Sequence, residues 1–201
     1  DMLAGVSHDL RTPLTRMKLQ ISLIKDKKAQ SELELDINEM TAMLDSYVSF
    51  VKTESPESIE NINVNNIIRE CTKNLVEINF DIKIEQKNYL DTSGRPIQLK
   101  RAFQNIIDNS SRYGDKILIK IFEDENGYNI EFHDNGQGIP ANMYEDVFKP
   151  FFTLDPARNK LKGESGLGLT ITRDIIRSHG GEIKLGKSEL GGLKLLVLLP
   201  I

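Results

Sequence analysis

Four short strings carry the residues whose types and spacing suit chemistry. The first is Ser7-His8-Asp9-Leu10-Arg11-Thr12-Pro13-Leu14. With the 3.6-residue period of a helix, His8 lies about 200° around from Val6 and from Leu10, so its imidazole points away from their apolar seam. Thr12 shares its face. An exposed imidazole beside a carboxylate, Asp9, can be held in the tautomer whose free nitrogen attacks an electrophile. Pro13 removes the helix hydrogen bond to the carbonyl of Asp9 and should bend the helix there. The second string lies on a helix over residues 96–113. Asn105, Asn109 and Arg112 flank its apolar stripe, and an amide oxygen at such a margin can bind a hard cation such as Mg²⁺. The third, Asp134-Asn135-Gly136-Gln137-Gly138, follows a strand. Asp134 ends the inward row of Ile130 and Phe132 and needs a donor, which the exocyclic amine of adenine would supply. Gly136 and Gly138 would let backbone approach a flat ring. The fourth runs from Lys162 through Gly166 and Gly168 into a helix whose exposed N–H groups suit an anion. Taken singly, each string also reads as ordinary surface, cap or turn.

The elements that must position these strings are legible in the periodicity. Leu10, Leu14, Met17, Ile21 and Ile24 are spaced 4, 3, 4, 3, and Ile37, Met40, Leu44, Tyr47 and Val51 are spaced 3, 4, 3, 4. Two such seams predict a helical hairpin, with Asp26-Lys27-Lys28 as its turn. A lone hairpin has a narrow core, so residues 1–54 are expected to pair with a second copy as a dimeric four-helix bundle. The alternative is a monomer whose hairpin packs on the rest of the chain. Residues 55–61 are polar, contain a proline and read as a linker. Beyond them, alternating strands over 80–85, 116–122, 128–134, 182–186 and 193–199 mix with helices near 64–76, 96–113 and 166–178. Most strands come as hairpins, which predicts a mixed sheet in an α/β sandwich with helices on one face over residues 62–201.

Composition narrows the partners. The 201 residues include 26 Lys and Arg against 30 Asp and Glu, a net charge of −4, so nucleic acid is not expected as a partner. The single cysteine, Cys71, allows no disulfide within the chain and sits at helical spacing with Ile67, Ile68 and Leu75 as a core residue. The longest apolar run, 195–199, is far below a membrane span. His133 points opposite Asp134, and His179 before Gly180-Gly181 marks a helix end.

The order of the four strings, with Phe148–Phe152 between the third and fourth, resembles the cytoplasmic core of the two-component sensor histidine kinases. The first string is similar to that family's H-box, Asn105 to Tyr113 to its N-box, Asp134 to Gly138 to its G1 box, Phe148 to Phe152 to its F-box, and Gly166-Leu167-Gly168-Leu169 to its G2 box. The opening is similar to the osmosensor members of the family. One position departs from the pattern: Glu164 stands where the first of three alternating glycines is usual. The resemblance implies a Bergerat-type ATP-binding domain behind a phospho-acceptor hairpin. It implies that His8 takes the γ-phosphoryl group of ATP, that Asp9 orients it, and that Thr12 positions water for dephosphorylating the partner. Asn109, helped by Asn105, would hold Mg²⁺. Arg112 and Tyr113 would contact the nucleotide, Asp134 the adenine amine, and Gly166 and Gly168 would shape a phosphate lid with the basic segment before them. The implied partner is an OmpR-like response-regulator receiver domain, and the implied setting is the cytoplasmic portion of a bacterial inner-membrane sensor, touching membrane only through segments outside this sequence. ATPases of the chaperone, topoisomerase and mismatch-repair type share the nucleotide fold but lack the helical stalk. A scaffold that binds nucleotide without phosphoryl transfer is the other alternative, and Glu164 favours it.

Overall fold

The computed structural model describes residues 2–52, 57–77, 80–125, 127–154 and 166–201; residues 2–10, 39, 42–43, 45–52, 74 and 77 are described as backbone. The chain divides into two compact units, Asp1–Pro56 with Lys149–Leu167, and Glu57–Phe148 with Gly168–Ile201.

In the first unit, helices α1 (Met2–Ile21) and α2 (Lys27–Lys52) pack as a hairpin. The turn lies upstream of the polar run, over residues 22–26, and takes in Ile24, the last member of the first seam. The Asp26 carboxylate accepts from the backbone N–H groups of Lys28 (2.9 Å) and Ala29 (3.3 Å), so Asp26 caps α2, and Lys27 and Lys28 form its first turn. Leu14, Ile21 and Ile37 are buried, and Lys18 Nζ donates to Asn38 Oδ1 across the hairpin at 3.1 Å. Met17 and Met40, members of the same two seams, stay 45% and 51% exposed. Pro13 lies inside α1, which continues through it.

The second unit is a sandwich. Its sheet has five strands in the order β2 (Asp81–Gln86), β4 (Lys116–Asp124), β5 (Gly127–Asp134), β7 (Leu193–Leu199) and β6 (Glu182–Lys187). β2 runs parallel to β4 and every other neighbour is antiparallel, the mixed sheet that the hairpin spacing predicts. Register places Ile84, Ile119, Phe132, Leu195 and Leu185 in one row across the sheet. The neighbouring row ends with Ile82, Ile117 and Asp134. Helices α3 (Val64–Glu77), α4 (Pro96–Tyr113) and α5 (Gly168–Ser178) pack against the sheet and one another, burying Ile68, Leu99, Phe103, Ile106, Ile107 and Ile176. Cys71 is buried among them; burial pushes its thiol up to about 11, and the thiol hydrogen donates to the Lys100 carbonyl. At the end of α5, Gly180 has φ 74°, and Gly181 N–H closes on the Ile176 carbonyl at 2.9 Å, the glycine stop expected after His179.

One pairing escapes the periodicity. β1 (Glu60–Asn63) and β3 (Asp91–Gly94) form a separate antiparallel pair. Residues 60 and 61, read as linker from their polarity, are therefore strand. Four residues with a single buried apolar side chain, Ile62, give no alternation to detect.

Phe103 on α4 meets Phe132 on β5 with ring centroids 6.1 Å apart and planes tilted by 32°, and both are buried. Truncating Phe103 to Ala removes a full aromatic ring at the helix–sheet seam. It is expected to cost about 3–5 kcal/mol in a chemical-denaturation measurement, a loss above 1 kcal/mol being required for the ring to be a core contact.

Candidate functional site

The candidate site forms where the C-terminal half of α4 meets the end of β5. α4 begins with Pro96 at its first turn, and Arg95 contributes no capping side chain. The cap comes from Glu57, whose carboxylate accepts from Ile97 N–H at 2.6 Å and Gln98 N–H at 3.2 Å. A second strut comes from His179. Its Nε2 accepts from Arg95 N–H at 3.0 Å while Nδ1 donates to the Ile175 carbonyl at 2.7 Å, which fixes a neutral tautomer; burial holds its pKa below the usual value. Neither residue is predicted for this role from local sequence, because each partner lies far away along the chain.

The flank of α4 places Asn105 and Asn109 half-buried, one turn apart, with Arg112 exposed and Tyr113 half-buried at the end. The two amides are not equivalent. Asn105 Nδ2 donates to the Gly168 carbonyl (3.3 Å) and to Thr172 Oγ1 (3.5 Å), tying α4 to the first turn of α5. Asn109, inside α4, makes no side-chain hydrogen bond among the described residues. An amide oxygen of this kind is a donor that would suit a hard cation.

Asp134 is buried at the end of β5. Its Oδ1 accepts from Gly136 N–H and from Leu193 N–H, both at 2.9 Å. No hydrogen bond among the described residues engages Oδ2. Burial raises the Asp134 pKa, and the two backbone donors only partly offset this. The carboxylate is thus held by one oxygen with an acceptor to spare, and an amine is the ligand that such an acceptor takes up.

Three contacts that the sequence does not advertise make this geometry possible. Asn135 Oδ1 accepts from Asp115 N–H (3.0 Å) and Lys116 N–H (3.1 Å), while its Nδ2 donates to Asp115 Oδ1 (2.7 Å), locking the turn after β5 to the end of α4. A Cβ on Gly136 would stand 2.9 Å from the Tyr113 carbonyl oxygen, so the absence of a side chain lets the turn close on that helix. A Cβ on Gly192 would fall within 2.5 Å of both Asp134 Oδ1 and Gly136 N. Gly191 and Gly192 read from sequence as a hairpin turn and Leu193 as the start of the strand after it; nothing local marks Gly192 or Leu193 as a neighbour of Asp134.

Gly138 has φ 69° and Gly166 φ 63°, both left-handed. Gly166 also lies against the backbone of Phe151, where a Cβ would sit 2.9 Å away, and Phe151 itself has φ 63°. Gly168, the first residue of α5, is different: nothing lies within 4 Å of where its Cβ would be. Among the described residues, then, no atom crowds the first turn of α5 at Gly168. Arg173 on α5 stacks over Phe148 at 4.6 Å. Residues 155–165, with Arg158, Lys160, Lys162, Gly163 and Glu164, lie outside the described residues. The His8 and Asp9 side chains do as well; their backbone is in α1, and Thr12 is exposed on the same helix. Among the described residues, no group of three or more His, Cys, Asp or Glu side chains is placed to hold a metal ion, and no helix is long and apolar enough to cross a membrane.

Both parts of the chain have counterparts among known proteins. Residues 94–201 match the family described as histidine kinase-, DNA gyrase B-, and HSP90-like ATPase, and residues 1–56 match the His Kinase A (phospho-acceptor) domain. The chain is 29% identical to sensor histidine kinase GtrS of Pseudomonas aeruginosa, with 99% of the chain and 41% of the relative aligned. It is 30% identical to sensor histidine kinase CpxA of Escherichia coli, with 100% and 46% aligned. It thus spans less than half the length of either. Among solved structures, the catalytic domain of histidine kinase ThkA aligns over 71% of this chain and 95% of its own at 26% identity, TM-score 0.62. Full-length ShkA in complex with AMPPNP aligns over 99% of this chain and 45% of its own at 18% identity, TM-score 0.70, a likeness of fold. With more than half of its length, residues 94–201, matched by that family and residues 1–56 by the phospho-acceptor domain, the chain belongs to the histidine kinase-, DNA gyrase B- and HSP90-like ATPase family and is homologous to the sensor histidine kinases.

Proposed function

We propose that this chain is an ATP-dependent protein-histidine kinase core. Residues 1–54 form the dimerisation and phosphotransfer domain, 55–61 lead out of it, and 62–201 bind ATP. The observation that carries the reading is Asp134, with Oδ1 saturated by two backbone amides and Oδ2 left to accept the adenine amine. Asn109 would hold Mg²⁺, helped by Asn105, and the residue fits because an amide oxygen is a hard donor suited to that cation. When bound, the ion neutralises charge on the transferring phosphoryl group. Arg112 and Tyr113 border the nucleotide, Gly136 and Gly138 admit the base, and Gly168 opens the α5 N-terminus to phosphate, with Gly166 shaping the lid.

Phosphoryl transfer needs positioning and charge neutralisation more than covalent work by many groups. A single nucleophile on the helical unit therefore suffices. His8 attacks the γ-phosphorus, the bond from that phosphorus to the β–γ bridging oxygen breaks, ADP leaves, and Asp9 orients the imidazole. The phosphoryl group then passes to an aspartate of an OmpR-like receiver domain, and Thr12 positions the water that later hydrolyses that aspartyl phosphate to aspartate and inorganic phosphate. The exposed Met17 and Met40, seam members left unburied by the hairpin, support pairing with a second copy through residues 1–54. The location is the cytoplasmic side of a bacterial inner-membrane sensor. The test is to label the chain from γ-labelled ATP with Mg²⁺ and add a purified receiver domain of the OmpR-like class. Label should leave the chain for the receiver and then appear as inorganic phosphate; label that stays on the chain through a molar excess of several such receivers contradicts the partner assignment.

Pro13 is expected to set the balance of the two reactions, because it lies one residue beyond Thr12 and frees the Asp9 carbonyl. Pro13→Ala should change the ratio of autophosphorylation to receiver dephosphorylation by severalfold. Equal rates for both reactions in the two proteins would remove that role.

A further inference from the structure

We infer that His133 is a positioning residue for Asp134, acting from the opposite face of the sheet through the turn that joins β6 to β7. The inference rests on the reading of Asp134 as the adenine acceptor.

Successive strand residues point to opposite faces, so His133 and Asp134 aim away from each other. Both are buried. Both nevertheless grip the same short segment. On one side, His133 Nδ1 accepts from Glu189 N–H at 3.3 Å. On the other, Asp134 Oδ1 accepts from Leu193 N–H at 2.9 Å, and the Asp134 carbonyl accepts from Gly192 N–H at 3.2 Å. The segment between is closed on itself. Ser188 N–H donates to the Gly192 carbonyl (3.0 Å), Gly191 N–H to the Ser188 carbonyl (3.1 Å), and Leu190 N–H to Ser188 Oγ (2.9 Å). A turn braced in this way moves as a body, so holding Glu189 holds Gly192 and Leu193.

The imidazole is set for this task. Its Nε2 donates to Glu131 Oε2 at 3.1 Å, which leaves Nδ1 as the acceptor that Glu189 N–H requires. Glu131 is fixed in turn by Lys194 Nζ at 3.2 Å. Burial alone would raise Glu131, but the hydrogen bonds from His133 and Lys194 outweigh it and keep the carboxyl below its usual range. Lys120 holds the Glu189 carboxylate. Strands β4, β5 and β7 and the turn thus all contribute a charged group to the network around one ring. The clearance at the far end is small, since a Cβ at Gly192 would collide with Asp134 Oδ1. A small shift of the turn therefore displaces the carboxylate or its donor.

The test uses the whole chain with His133→Leu, His133→Gln and His133→Asn. Asn presents an oxygen where Nδ1 stands; Gln carries its acceptor one bond further out; Leu has none. Amide exchange of Leu193 without nucleotide reads the grip directly, and binding of ATP against inosine triphosphate, which has a carbonyl in place of the amine, reads its consequence. In the Leu and Gln variants, Leu193 exchange should rise and ATP affinity fall by about tenfold, with inosine triphosphate affinity nearly unchanged, and Asn should restore both. Unchanged Leu193 exchange, or equal loss of both nucleotides, overturns the inference. If exchange rises as expected but the unaltered protein binds both nucleotides equally, His133 does hold the turn and the adenine reading of Asp134 is what fails.

Discussion

His8→Gln is expected to abolish incorporation of label from γ-labelled ATP, a loss of at least about a thousandfold, while ATP binding stays unchanged. Gln offers an amide of similar reach but no nitrogen lone pair able to attack phosphorus. Binding should survive because Asp134 and Asn109 belong to the other compact unit, Glu57–Phe148 with Gly168–Ile201. Filter-bound label and calorimetric ATP titration on the same preparation separate the two effects. Residual label at a tenth of the original level or above would mean that another side chain receives the phosphoryl group.

Asp134→Asn should separate binding from stability in the opposite sense. The amide can still accept from Gly136 and Leu193 through one oxygen, so the fold has its contacts. In the Oδ2 position it presents an N–H₂ donor to the adenine amine, also a donor. Losing a charge-assisted hydrogen bond of this kind costs about 2–3 kcal/mol, a factor of roughly 30 to 150 in ATP affinity. The pH dependence follows from burial, which raises the Asp134 pKa. A carboxyl with a raised folded-state pKa binds its proton more tightly folded than unfolded. Its ionised form therefore weakens the fold above that pKa, and the penalty is relieved as pH falls through it. Thermal unfolding at neutral pH should find Asp134→Asn at least as stable as the unaltered protein. ATP affinity of the unaltered protein should fall as acid protonates Asp134, and Asp134→Asn should be insensitive there. A variant that unfolds at neutral pH would make Asp134 a structural residue first.

Much of this architecture is legible along the chain because it rests on repeating signals. The paired heptad seams specify the hairpin, and strict alternation such as Phe80-Asp81-Ile82-Lys83-Ile84 specifies strands whose register later proves mixed. What escapes is whatever depends on partners distant in sequence. Glu57 looks like linker until its carboxylate is seen on the N-terminus of α4. Asp26 and the two lysines after it look like a turn, since three polar residues suit a turn or a capped helix start equally well. Asn105 and Asn109 look alike at helical spacing. Only the approach of α5 distinguishes them, by committing the first to a strut. Gly191-Gly192 announces a hairpin, and the carboxylate that needs Gly192 bare lies 58 positions earlier by residue number, at Asp134.

The central claim is that the imidazole of His8 takes the terminal phosphate from a nucleotide held at Asp134. Its most direct measurement is peptide mapping of the whole chain after brief incubation with γ-labelled ATP and Mg²⁺, with the linkage typed by its stability in acid and in alkali. The account predicts one labelled peptide, carrying His8, with an acid-labile and base-stable bond. An acid-stable bond on serine or threonine, or no label under conditions where ATP binding is measured, would contradict it.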